Sequence, residues 1–219
     1  MQKQIILNPH NTGANYNGVI WHPKYPIPPK VRELGYCPDY DAWNPGDLIL
    51  VSSLKPGFIA NSIRKVQKKG GYLECHAKWE HAAVYIGSGA ICEANRNGVV
   101  VDTIFRYSCD HLIRVRRNTT LTKDQGWELA VNALKRQNCS YSMLSIVNLY
   151  FKSLVGFHRA GSSINFPKSA IICSELYADS HVKVCGQVLG NVHNGEITPA
   201  SLSNDSLLTD LQINWNKIG

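Results

Sequence analysis

The chain has 219 residues, 44% apolar and 18% charged, and its Lys and Arg outnumber Asp and Glu by 23 to 16, giving a formal charge of +7. That length and apolar content can bury a sizeable core, and they exclude a disordered, collagen-like or low-complexity chain. The cysteines at positions 37, 75, 92, 109, 139, 173 and 185 are odd in number and form no regular disulfide framework. A free thiol kept in a reducing compartment is therefore the expectation. Met1-Gln2-Lys3-Gln4-Ile5-Ile6-Leu7 lacks the apolar core of a secretory signal, which makes the cytoplasm the default location and leaves signal-independent delivery to an envelope or host compartment open.

Residues 1–42 differ in character from the rest. They are rich in Asn, Pro, Tyr and His, and include Trp21-His22-Pro23-Lys24-Tyr25-Pro26-Ile27-Pro28-Pro29. Such prolines favour extended chain over regular helix, so this segment reads as an arm laid over a catalytic domain spanning 43–219. Pro45 to Ser52 is apolar enough for a buried strand, and Gly57 to Lys69 reads as a short helix carrying Arg64, Lys65, Lys68 and Lys69. Next comes a hairpin, with Ala82 to Ile86 and Ala90 to Ala94 as strands joined by Gly87-Ser88-Gly89, read as a three-residue turn. If Ile86 pairs with Ala90, Ala83 faces Glu93 and His81 faces Asn95, which puts His81, Glu93 and Asn95 on one side of the sheet. A two-residue turn would send Glu93 to the other side. Val99 to Phe105 and His111 to Arg117 alternate as further strands, completing a mainly antiparallel sheet of five or six.

Helices follow. Thr122 or Asp124 is positioned to cap one whose apolar stripe is Trp127, Val131 and Leu134. Tyr141 to Gly156 carries a second stripe, too short and polar to span a membrane. Ala170-Ile171-Ile172 leads into Cys173, and Ser174-Glu175-Leu176-Tyr177-Ala178 continues as helix. Cysteine is among the most buried residue types, and most cysteines are inert. A thiol in the first turn of a helix, however, feels the positive end of the dipole, which favours the nucleophilic thiolate. With His81 as base and Glu93 or Asn95 to orient the ring, the chain holds the parts of a cysteine hydrolase. The backbone N–H of Cys173 would donate to the oxyanion, and the sequence identifies no second donor.

These residues resemble the circularly permuted branch of the papain-like, NlpC-type superfamily, particularly YiiX-like hydrolases, which are related to lecithin:retinol acyltransferase-like proteins. The likeness rests on Pro45-Gly46-Asp47-Leu48-Ile49-Leu50, His81 through Gly87, Ile91-Cys92-Glu93-Ala94, Ile172-Cys173-Ser174-Glu175-Leu176 and Ile197-Thr198-Pro199-Ala200-Ser201-Leu202. In it the histidine precedes the cysteine, the reverse of ordinary papain-like enzymes. The resemblance implies an α+β fold with an antiparallel sheet packed on helices, Cys173 as nucleophile, His81 as base and Glu93 as the orienting residue. It implies amide chemistry, with peptidoglycan stem peptides as the first substrate class. A lipid acyltransferase or thioesterase, or a catalytically silent binding module, are the alternatives.

The residues call for no cofactor. Cys75, His76, His81 and Cys92 lack the spacing of a metal site, since Cys75-His76 is adjacent and Cys92 points away from His81. The basic clusters Arg64 to Lys69 and Arg114 to Arg117 suggest an anionic partner surface. No nucleic-acid-binding module is recognisable, and nucleic acid is not an expected partner.

Overall fold

A computed structural model describes residues 20–21, 26–137, 172–189 and 197–218. Strand β3 (Leu48–Ser53) occupies the middle of the main sheet, because its apolar residues are buried on both faces, as a central strand requires. It pairs antiparallel with β4 (His81–Gly87) on one side and β7 (His111–Arg117) on the other. Beyond β4 come β5 (Ala90–Asn95) and β6 (Gly98–Thr103), and beyond β7 comes β8 (Thr209–Leu211), giving a six-stranded antiparallel sheet in the order β6-β5-β4-β3-β7-β8.

Alternation along β3 and β4 divides the core. Ile49, Val51, Ala83 and Tyr85 face one layer, with Trp43, Phe105 and Tyr107 among their neighbours. Leu48, Leu50, Ala82 and Val84 face the other, against helices α4 (Lys123–Leu134) and α5 (Cys173–Cys185). The fold is therefore α+β, a sheet packed on helices.

The first of these layers is closed by a second sheet that the sequence did not suggest. Here β9 (Trp215–Ile218) pairs antiparallel with β2 (Tyr36–Pro38) and parallel with β1 (Ile20–Trp21). Helix α1 (Pro29–Leu34) precedes β2 and ends at Gly35, whose φ of 76° is readily accessible to glycine. Ile27, Val31, Cys37 and Tyr40 join the same apolar cluster as Trp43 and Tyr85, so the described part of the proline-rich arm is built into the core.

Helix α2 (Phe58–Lys69) agrees with its expected span, and α3 (Glu74–Ala77) follows it. Helix α4 corrects its expected face. Trp127 and Val131 are exposed, Leu134 alone of the expected stripe packs on the helix-side core, and the buried side is Gly126, Leu129, Ala130 and Ala133. The reason is close approach: a Cβ on Gly126 would lie 2.5 Å from the Pro45 carbonyl oxygen, so the small residues, not the largest apolar ones, set the contact. Thr122 is the cap, with its Oγ1 accepting from Gln125 N–H. The Tyr141 to Gly156 stripe lies outside the described residues.

Candidate active site

The hairpin that carries the histidine and glutamate has a different turn from the expected one. Gly87 pairs with Ala90, so the loop is only Ser88-Gly89. Both have positive φ, 53° and 77°, as a type I′ turn requires. The pairing shifts between Tyr85 and Gly87, and this bulge at Ile86 absorbs one residue, so Tyr85 opposes Ile91 and Ala83 opposes Glu93. Glu93 thus shares a face with Ala83 even though the turn is short. Turn and bulge offset each other.

His81 opens β4 and Glu93 lies near the middle of β5. The His81 Nε2–H donates to Glu93 Oε2 at 3.0 Å. Asn95, the alternative orienting residue, donates from Nδ2 to Glu93 Oε1 at 2.8 Å; it supports the carboxylate and does not take its place. Tyr107 completes the set, donating from its hydroxyl to Glu93 Oε2 at 2.6 Å. Its ring also lies 6.0 Å from the His81 ring and 5.0 Å from that of His111. Sequence reasoning missed Tyr107, which follows a short 3-10 turn (Ile104–Arg106) outside any strand period.

Cys173 is the first residue of α5 and is buried. Glu175 accepts from the Ile172 N–H at 3.2 Å and fixes the start of the helix. Ser174 Oγ donates to the Ile197 carbonyl at 2.8 Å, and Thr198 caps α6 (Pro199–Asn204), so the Thr-Pro segment braces the cysteine's helix. As the first helical residue, Cys173 has a backbone N–H with no acceptor inside the helix.

The Cys173 sulfur lies near enough to the His81 ring to act on its charge. Because Nε2 is held by Glu93, the ring nitrogen left for the thiol is Nδ1. Burial alone would push the His81 ring down, but the sulfur first and Glu93 second reverse this and raise it to about 10. Burial likewise opposes charge on Glu93. Its hydrogen bonds from His81, Tyr107 and Asn95 prevail, and its carboxyl falls to about 2. Tyr107 moves the other way, raised by burial and by the Glu93 charge, and stays a donor.

The residues considered for metal do not converge. His76 pairs through Nδ1 with Ser203 Oγ at 2.9 Å, Cys75 is exposed, and Cys92 sits in the helix-side core with its thiol pushed up to about 12 by burial and by the Glu93 charge. Among the described residues no three His, Cys, Asp or Glu side chains group as metal-ion ligands. A second cysteine–histidine pair, Cys185 and His181, lies at the C-terminal end of α5, far along the helix from Cys173.

The basic clusters also read differently in three dimensions. Arg114 and Arg116 are buried, both paired with Asp210 and donating to carbonyls of residues 202–208. Arg117 forks onto Asp47, with both contacts at 2.7 Å. That cluster is internal bracing and contributes little to an anionic partner surface; Arg64 is likewise held by Glu80.

A groove of about 520 Å³ opens beside His81, with Tyr107 and His111 on one wall and Phe58, Ile59 and Ile63 on the other. A narrower apolar crevice adjoins Cys173, lined by Ile63, Val66, Ile172, Ile197 and Pro199. Ile63 and Glu80 border both.

No family model matches the chain, and no curated protein does. Among solved structures it is similar to the metalloprotein yiiX of Escherichia coli O157:H7, with a TM-score of 0.51 and 15% identity over 77% of this chain and 96% of that one. The fold is yiiX-like. At this identity the likeness concerns architecture alone, and it agrees with the permuted papain-like resemblance at that level. No helix among the described residues is long and apolar enough to cross a membrane.

Proposed function

We propose that this chain is a cysteine hydrolase acting on amide bonds through Cys173, His81 and Glu93. The observation that carries the reading is the His81 ring held between a buried carboxylate on Nε2 and the Cys173 sulfur. In the attack, the proton of the Cys173 thiol already resides on His81 Nδ1, and the sulfur bonds to the carbonyl carbon as the carbonyl's electron pair moves onto the oxygen. The resulting oxyanion accepts from the Cys173 N–H at the helix start. Collapse breaks the carbon–nitrogen bond, the imidazolium gives its proton to the departing amine, and a thioester remains. Water then attacks with the now neutral His81 as base, the carbon–sulfur bond breaks, and the sulfur leaves beside the reprotonated His81 ring, which restores the starting state. Glu93 holds the ring's tautomer and stabilises its charged form.

The protein yiiX is described as a metalloprotein, but in this chain both Glu93 oxygens accept hydrogen bonds and His81 Nε2 is committed to that carboxylate. That donor set does not fit a metal ion, and no step here is routed through one. The resemblance favours peptidoglycan stem peptides as substrate. The apolar lining of the crevice beside Cys173 favours a second reading, in which the same thiol accepts an acyl chain from a lipid.

The test is to incubate wild type and Cys173→Ala with purified peptidoglycan and with phospholipids and to identify products by mass spectrometry. Stem-peptide fragments released only by wild type support the amidase, and freed or transferred acyl chains support the lipid reading. Equal turnover by a folded Cys173→Ala chain overturns both. Failure of Cys173 to react with a thiol-directed probe would leave a binding module.

A further inference from the structure

The corner between β3 and α2 exposes apolar surface that the fold does not use. Leu54, Phe58 and Ile59 are 37%, 87% and 51% exposed, all within six residues. The corner is held in place. Leu54 N–H donates to the Asp110 carbonyl, Lys55 N–H to Ser53 Oγ, and Asn61 Nδ2 to the Pro56 carbonyl. A phenylalanine fixed almost wholly in water contributes nothing to folding, and clustered exposure of this kind marks a contact surface.

The charges around it indicate what makes the contact. Phe58, Ser62, Lys65 and Lys69 recur at helical spacing and so share one stripe of α2. Lys55, Lys65 and Lys69 are all exposed, whereas the neighbouring cations Arg64 and Lys68 are paired with Glu80 and Glu74. An apolar tip with lysines behind it is the pattern of an interfacial element, with rings in the acyl boundary and ammonium groups at the lipid phosphates. A second copy of the chain would bring these same lysines together, and each copy carries a formal charge of +7. An anionic bilayer complements them. Asp110, whose carbonyl accepts from the Leu54 N–H, has its carboxylate 2.6 Å from His111 Nδ1.

We propose that the β3–α2 corner docks on an anionic membrane surface, with Leu54, Phe58 and Ile59 entering the headgroup–acyl boundary. Phe58, Ile59 and Ile63 are also the groove wall that leads to His81, so docking sets the mouth of the groove against the bilayer. The proposal deepens the acyl-transfer reading by saying where substrate is presented, but the docking itself needs no thiol chemistry.

The experiment is co-sedimentation of full-length Cys173→Ala protein with sucrose-loaded vesicles of equimolar phosphatidylglycerol and phosphatidylcholine, and with phosphatidylcholine alone. The expected result is binding to the anionic vesicles that weakens with salt. Phe58→Ser with Ile59→Ser should weaken it about tenfold or more, and Lys65→Gln with Lys69→Gln should remove most of the preference for phosphatidylglycerol. Melting temperatures check that each variant is folded. No binding by the parent, or binding that neither pair of changes alters, overturns the proposal. Self-association abolished by Phe58→Ser, without vesicle binding, also overturns it and assigns the corner to a second copy. Because the parent here lacks the thiol, these outcomes are independent of whether Cys173 is a nucleophile.

Discussion

Glu93 is fully buried, and its charge is tolerable only because three side chains donate to it. Tyr107→Phe removes one donor without opening a cavity, and should cost about 1.5–3 kcal/mol in chemical denaturation, the range for a hydrogen bond to a charged group. Turnover should fall about tenfold with it, since the ring's partner is less firmly held. Glu93→Gln keeps a hydrogen-bond acceptor but loses the charge, and should lower turnover by about 10²–10⁴. A Tyr107→Phe chain as stable and active as wild type would remove Tyr107 from the site. The pH behaviour has a definite sign. The folded His81 ring is raised from 6.5 to about 10, so its contribution to stability is present below about 6.5 and fades as pH climbs through 10. The Glu93 contribution is present above its ordinary 4.5 and fades as pH falls toward 2. NMR titration of the ring checks this: it should remain protonated through neutral pH in wild type and titrate lower in Cys173→Ala, where only Glu93 still raises it. Cys173, His81 and Glu93 were legible as candidates because each sits in a short local pattern. Tyr107 was not, because its contact with Glu93 crosses a 3-10 turn that has no periodicity to read.

At the level of elements, the hairpin's register was legible while its turn was not. Alternation placed Ala83 opposite Glu93, but no residue type in Gly87-Ser88-Gly89 distinguishes a three-residue turn from a two-residue turn plus a bulge at Ile86. Helix α4 failed for a different reason: hydrophobic size predicts which face wants burial, whereas backbone approach decides which face fits. Gly126 and Gly46 meet there, a Cβ on Gly46 falling 2.6 Å from the Gly126 carbonyl oxygen. This reverses an ordinary expectation. In an exposed helix, Gly→Ala stabilises by about 1 kcal/mol, yet Gly126→Ala should destabilise by about 1–3 kcal/mol, because the clash is with the backbone of Pro45. Thermal melts decide the sign, and a raised melting temperature would mean that α4 can move off the Pro45 loop at little cost. Gln67 illustrates a contact that no pattern predicts. From α2 it donates to the carbonyls of Ala77 and Trp79 and accepts from the Ala200 N–H, joining three segments behind the Cys173 crevice.

Across the whole molecule, the main sheet was readable because its strands are six or seven residues long, apart from β8, and four of them, β4 to β7, follow one another closely. The second sheet is built from strands of two to four residues drawn from both ends of the described chain, and segments that short carry no alternation to detect. Its existence changes what the proline-rich segment does. Ile27, Val31, Cys37 and Tyr40 are buried, the Tyr40 carbonyl accepts from the Tyr85 hydroxyl at 3.2 Å, and the Tyr40 ring packs on Gly89 at the tip of the histidine hairpin. The arm therefore supports the hairpin that carries His81 and Glu93. Deleting residues 1–40 would leave β9 without either partner strand and expose Trp215 and Ile213. At about 1.5–3 kcal/mol for each large apolar side chain returned to water, the loss approaches the 5–15 kcal/mol that holds an ordinary domain together. The truncated chain should show no cooperative melt, or one lowered by well over about 10 °C, and should lose activity in the same proportion. A cooperative melt within a few degrees of the full chain, with activity retained, would mean that the second sheet is a dispensable cover and that the hairpin is held by β3 and β6 alone.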